Sequence, residues 1–210
     1  IKGFSYKDNP FTIKNKNIIL YPQEIRGVNA TLEGLSFELF INGEFHRFEC
    51  DILGAFNVIN ITAAIYVALE LEISIDSIKE KVKQLKPIQH RLQKIESKHK
   101  IIIDDSFNGN LEGMLEGVRI SSLHHGRKVI ITPGIIESDE ESNKKLAEAI
   151  NSVFDIVIIT GGKNTNTLKK YITKPQKIIL KDKSQMQNVL KAATKEGDLL
   201  LFANDAPNYI

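Results

Sequence analysis

"PIQHRLQKIESKHKIIIDDSFNGN" (residues 87–110) joins two kinds of sequence. It opens on a His-Arg pair, passes through a charged run, and ends where three isoleucines meet two aspartates and Ser-Phe-Asn-Gly-Asn. A bulky apolar strand that empties into a polar cluster fits a buried parallel strand, whose carboxyl end faces the ligand crevice of an α/β sheet. On that reading Asp104, Asp105, Ser106, Phe107 and Asn108 reach the crevice, and Asn110 caps the next helix.

The sequence downstream repeats this grammar. Helix "NLEGMLEGVRISSL", strand "KVIITP", helix "SDEESNKKLAEAINSV", strand "DIVIIT", helix "NTNTLKKYI", strand "KIIL", helix "SQMQNVLKAATK" and strand "DLLLFA" follow in turn. Short apolar strands alternating with amphipathic helices predict a Rossmann-like, doubly wound, mostly parallel sheet. Ser138 with Glu141, and Ser184 with Gln187, have the spacing of capping boxes. The charged run "QKIESKHK" reads as a linker.

Upstream the pattern is β, then α. "NATLEGLSFELFINGEFHRFECDIL" alternates apolar and polar residues around Asn42-Gly43, a strong hairpin signal. "FNVINITAAIYVALEL" is apolar on nearly every face, as in a helix buried all round, and Ser74 is placed to cap a second helix that Pro87 ends. The chain begins without a methionine or a clear element start, so these residues read as the tail of a domain whose beginning lies elsewhere. The expected division is residues 1–91 and 92–210.

Composition narrows the function. The chain has 210 residues, 42% of them hydrophobic, enough for a real core. Twenty-eight basic and 26 acidic residues leave a net charge of +2, spread without the basic patch of a nucleic-acid binder. No apolar run is long enough to span a bilayer, and a cytoplasmic protein is expected. The single cysteine, Cys50, reads as a buried, inert thiol. "TGGKNTNT" (residues 160–167) imitates the end of a phosphate-binding loop but has Val157 and Asn164 where glycine and Ser/Thr are required, so it reads as an ordinary turn. His124 and His125 lack further ligands at zinc spacing, and no metal-ligand set is assigned.

Three separated segments match one pattern in order. "GAFNVINITAA" resembles the G-x-H-N-x-x-N-x-x-A-A segment of the Mur ligase central domain, "QHRLQ" resembles that family's interdomain element, and "DDSFNGN" resembles the DDSYNANP signature of the member that adds D-alanyl-D-alanine. The resemblance runs from about the hairpin to the end. It implies the C-terminal part of a central ATP-binding domain followed by the whole Rossmann-like ligase domain.

The roles that follow are carried by the resemblance. Asn57 and Asn60 match adenine-binding positions; three apart on a helix, they share a face near its start, where capping is the other role open to them. Arg91 matches the arginine that approaches the γ-phosphate, and a planar, permanently charged guanidinium suits phosphoryl transfer, with a structural ion pair as its alternative. Asp105 matches the ribose-hydroxyl ligand, Asn108 a residue near the nucleotide and the incoming amine, and Ser106 stands beside them as a substrate-binding candidate. From spacing alone, one aspartate could equally cap a turn while the other is solvated. The implied reaction is ATP-dependent amide formation. The terminal carboxylate of a UDP-muramoyl tripeptide becomes an acyl phosphate, and the amine of D-alanyl-D-alanine displaces phosphate, with magnesium required and a monomer expected.

Several positions depart from the pattern. Phe56 replaces histidine, Phe107, Gly109 and Leu111 replace Tyr, Ala and Pro, and "LLLFANDAPNYI" lacks the family's KGSR ending. No phosphate loop or counterpart of the metal-binding and carbamylated-lysine segments is present, so the chain as given is expected to be inactive alone. Two alternatives stand beside this reading: a sibling ligase or folylpolyglutamate synthase, or a non-catalytic nucleotide-binding module.

Overall fold

The computed structural model describes residues 24–97, 99–107 and 109–203. The opening segment, Asn108 and the C-terminal ending discussed above lie outside the described residues. The chain divides into two compact units, one ending at Lys86 and the other beginning at Pro87.

The first unit is a three-stranded antiparallel meander, β1 (Ile25–Thr31), β2 (Gly34–Ile41) and β3 (Glu44–Cys50), backed by two helices. Alternation drives it: Leu35, Phe37, Leu39 and Ile41 of β2 all point into the core. Asn42 (φ 51°) and Gly43 (φ 96°) both take the left-handed conformation that a two-residue hairpin requires, and Phe37 pairs with Phe48 across it. At the other turn Gly34 has φ 139°, and a Cβ there would lie 2.2 Å from the Cys50 carbonyl oxygen.

Helix α1 (Asn57–Glu70) sets Val58, Ile61, Ile65 and Tyr66 against the sheet, where Ile78 and Val82 of α2 (Ile75–Lys83) join them. The sequence predicts α1 to be buried on every side, but the structure covers only one. Val67 is 61% exposed, Leu71 69%, and Phe56 is exposed as well. An all-round apolar composition permits burial of several faces, but only neighbours supply it, and among the described residues the packing is one-sided. Ser74 caps α2 as expected, its hydroxyl accepting from the Ser77 amide, with Asp76 in the first turn and Lys81 and Lys83 in the last to complement the helix dipole. Cys50 is buried, and burial pushes its thiol up.

The second unit contains β4 (Gln93–Glu96), β5 (Ile101–Asp105), α3 (Leu111–Ser122), β6 (Lys128–Thr132), α4 (Glu140–Val153), β7 (Ile156–Thr160), α5 (Thr165–Tyr171), β8 (Gln176–Leu180), a 3-10 turn (Lys183–Gln185), α6 (Met186–Ala193) and β9 (Leu199–Ala203). Its sheet runs β4-β5-β9-β6-β7-β8, parallel throughout except for β4. Helices α3, α4 and α5 pack in a row on one face. On the other, Met186, Val189 and Leu190 of α6 cover Val129, Ile131, Ile158 and Phe202. This is the expected doubly wound α/β architecture.

Two local expectations are corrected. Residues 93–96 form an edge strand rather than a linker, with Gln93 opposite Asp104 and Glu96 opposite Ile101. An edge strand with one isoleucine among polar residues carries too little periodicity to be recognised, and charge is how sheet edges are protected. The caps also shift. Asp139, not Ser138, caps α4 by accepting from the Ser142 amide at 2.8 Å, and Asp182 rather than Ser184 caps the turn before α6. A carboxylate is the stronger acceptor at a helix start because it also meets the positive end of the dipole.

The two glycine environments give opposite expectations. Gly34→Ala should destabilise the chain by about 3 kcal/mol or more through strain and the carbonyl collision. Gly117→Ala in α3 meets only Leu201 and Leu92 methyls at 3.5–3.6 Å and should gain up to about 1 kcal/mol of helix propensity. Chemical denaturation of both variants checks the pair.

Candidate functional site

At the carboxyl end of β5, consecutive residues point to opposite faces of the sheet. Asp104 is in register with Phe202, on the α6 side; Asp105 follows on the α3 side. Each aspartate holds one flank of the same turn. Asp104 Oδ2 lies 2.7 Å from His90 Nδ1, and Asp105 Oδ1 accepts from the Leu92 amide at 3.0 Å. Arg91 stands between them. Its guanidinium lies 4.6 Å from the centre of the Phe107 ring, and the Phe107 amide donates to the His90 carbonyl. The turn carrying the His-Arg pair is therefore bonded into the second unit.

Asp104 is 1% exposed and fully satisfied: its second oxygen accepts from the Ser106 amide at 3.2 Å and the Ser106 hydroxyl at 2.6 Å. Ser106 is itself buried and commits its hydroxyl proton to Asp104. Asn110 caps α3 through its side-chain oxygen, as expected.

Arg91 borders an open crevice of about 420 Å³ at the ends of β5 and β6, lined also by Asn110, Glu112, Ile135, Glu137 and Ser142. The far wall is built by two buried asparagines that sequence reasoning missed. The Ile135 carbonyl accepts from Asn143 at 3.2 Å and Asn164 at 2.9 Å, and the Ile135 amide donates to Asn143 Oδ1. Gly134 (φ 78°) is required beside them, since a Cβ there would lie 2.4 Å from Asn143 Oδ1. A signal was present: Asn143 sits on the α4 stripe that buries Leu146, Ala147 and Ile150, where a polar side chain needs a partner.

The first unit holds the remaining candidates. Asn57 opens α1, its amide donating to the Leu53 carbonyl at 2.8 Å, and Asn60 donates to Asn57 Oδ1 at 3.1 Å on the exposed side. The two asparagines thus share one helix face, and Asn57 also secures the helix start. Among the described residues no group of three or more His, Cys, Asp or Glu side chains is placed together to hold a metal ion. No described helix is long and apolar enough to cross a membrane. His124 sits beyond the end of α3, its Nε2 2.8 Å from the Gly197 carbonyl oxygen.

No family model matches the chain. Its fold is similar to that of solved Mur ligases. In sequence the chain is similar to curated relatives named UDP-N-acetylmuramoyl-tripeptide--D-alanyl-D-alanine ligase. The chain is 25% identical over 196 residues to that ligase from Buchnera aphidicola subsp. Acyrthosiphon pisum, covering 81% of this chain and 43% of the relative. It is 30% identical over 129 residues to the one from Buchnera aphidicola subsp. Baizongia pistaciae, covering 60% of this chain and 27% of the relative. The chain therefore spans less than half the length of these curated relatives. Among solved structures, the MurF ligase of Thermotoga maritima in complex with ADP superposes with a TM-score of 0.77 at 19% identity, covering 97% of this chain and 50% of that one.

Electrostatics single out Asp105. Burial lifts its carboxyl from 3.8 to about 6, against the pull of the Leu92 amide and the Arg91 charge, with Asp104 adding to the rise. Because the folded value lies above the unfolded one, the native state holds the extra proton between about pH 4 and 6, and stability falls as pH rises through that window. Asp105→Asn keeps an acceptor for Leu92 and removes the buried charge. It should flatten that slope and raise stability at pH 7 by up to about 3 kcal/mol. Denaturation at a series of pH values checks this; an unchanged slope would assign the pH dependence to another group.

Proposed function

We propose that this chain is the C-terminal portion of an ATP-dependent peptide ligase that adds D-alanyl-D-alanine to UDP-N-acetylmuramoyl-tripeptide in peptidoglycan synthesis. The observation that carries the reading is the sequence similarity to ligases of that name across 81% of the chain. The geometry supports it: the Arg91 guanidinium borders the crevice, and the Asp105 carboxyl at the end of β5 is close enough to feel its charge.

The reaction needs two steps. A tripeptide carboxylate oxygen attacks the γ-phosphorus, releasing ADP and leaving an acyl phosphate; the dipeptide amine then attacks the acyl carbon, and phosphate departs with the bonding pair. Phosphoryl transfer depends on positioning and charge stabilisation, and Arg91 supplies a fixed positive charge for it. The Asp105 carboxylate is a two-oxygen acceptor suited to ribose hydroxyls, and the exposed amides of Asn57 and Asn60 suit an adenine edge. Ser106 acts through Asp104, and Asn108 is assigned a role toward the amine substrate from its match to the signature alone. Magnesium accompanies ATP, with most of its ligands supplied from upstream of this chain. The enzyme works as a monomer in the cytoplasm.

The folylpolyglutamate synthase of Thermotoga maritima has a similar fold, with a TM-score of 0.63 at 18% identity, so the assay must discriminate between substrates. The complete gene product should release phosphate from ATP only when both the UDP-muramoyl tripeptide and D-alanyl-D-alanine are present. Arg91→Ala should lower kcat by about 10³-fold. Asp105→Ala should chiefly raise the KM for ATP. Phosphate release driven instead by a folate and glutamate, or by no substrate pair, would sink the proposal.

A further inference from the structure

We propose that Asp104 and His90 form a positioning pair that fixes the backbone on either side of Arg91, so that the guanidinium is presented in one orientation at the crevice. This rests on the reading of Arg91 given above. Three observations carry it. His90 (φ 63°) and Leu92 (φ 46°) both sit in the left-handed region, which neither residue type favours, so Arg91 is held between two strained neighbours. Such strain persists only where surrounding bonds over-determine it. Here they do: the His90 ring is tied to Asp104, the His90 amide to Gln93 Oε1, the His90 carbonyl to the Phe107 amide, and the Leu92 amide to Asp105. The Leu92 side chain is also buried.

The third observation is the state of Asp104 itself. A carboxylate that is 1% exposed, with partners on both oxygens, has no room for a ligand and acts only through what it holds. The Ser106 amide and hydroxyl fix one oxygen, which aims the other at His90. His90 is thereby a spacer between a buried anchor and the turn. It is a positioning residue, and it is given no contact with substrate.

The test is steady-state kinetics of the complete gene product carrying His90→Ala, His90→Asn, Arg91→Ala and the double variant His90→Ala/Arg91→Ala. Loss of orientation at a group used only in the transition state lowers kcat and leaves binding alone, so His90→Ala should lose about tenfold in kcat with the KM for ATP nearly unchanged. His90→Asn should recover most of that loss, because asparagine tolerates the left-handed conformation and places an N–H near the position of Nδ1. The double variant should be no slower than Arg91→Ala alone, since the pair acts through that arginine. An unchanged kcat in His90→Ala, losses that multiply in the double variant, or no recovery with asparagine would each overturn the proposal. Arg91→Ala retaining full kcat would sink the reading of Arg91, and this proposal with it, and is distinguishable because it appears in the single arginine variant. Thermal melts accompany each variant. If His90→Ala does not fold, His90→Gln, whose donor is one bond too far out, serves as the disconnecting substitution.

Discussion

A carboxylate taken out of water costs several kcal/mol unless its oxygens are bonded, and Asp104 is such a group. Its demands organise the crevice end of the second unit. One oxygen is met two residues along the chain, by Ser106. The other draws in His90 from fourteen residues upstream, which brings the whole 88–93 turn against the end of β5. Once the turn is there the next residues have one course available: Gln93 lies opposite Asp104, and β4 pairs along β5 in antiparallel register. The edge strand, the left-handed turn and the place of Arg91 all follow from satisfying one buried group.

Two other carboxylates show how differently the sheet treats its two ends. At the amino end, burial would push Asp198 up, but Arg127 grips it with two nitrogens and the Lys195 amide adds a third donor, so the carboxyl stays below its usual range. At the carboxyl end Asp105 has the Leu92 amide and a neighbouring Arg91 charge, and burial wins. One end is neutralised and the other is left in tension. Stability alone would favour a neutral residue at the Asp105 position.

The parts of this structure that local chemistry dictates could be read from the sequence. Asn42-Gly43 can hardly do other than turn a hairpin, and "KIIIDDS", "KVIIT" and "DIVIIT" are apolar on both faces because both are covered. What could not be read depends on neighbours distant in the chain. The helix start at Asp139 competed with Ser138 one residue away, a contest between acceptors that spacing rules do not rank. The "QKIE" strand exists because β5 offers it an edge. The paired aspartates were legible as the end of a buried strand, but neither lines the crevice as expected, and their division of labour was not legible. That one is sealed and fully bonded, and the other half-buried with its carboxyl pushed up by burial, follows from the alternation of β5 only once its neighbours and the 88–93 turn are placed.

The crevice combines a rigid wall with a sparse set of charges. Asn143 and Asn164 arrive from α4 and the start of α5 and spend their amides on a single carbonyl, so the 133–138 loop is held from two helices at once. Preorganisation of this kind lowers the entropy lost when a ligand is ordered against the wall. The charged side chains lining the opening are Arg91, Glu112 and Glu137. A purely anionic ligand would meet two like charges for each opposite one. A molecule carrying both signs of charge satisfies the lining as a whole.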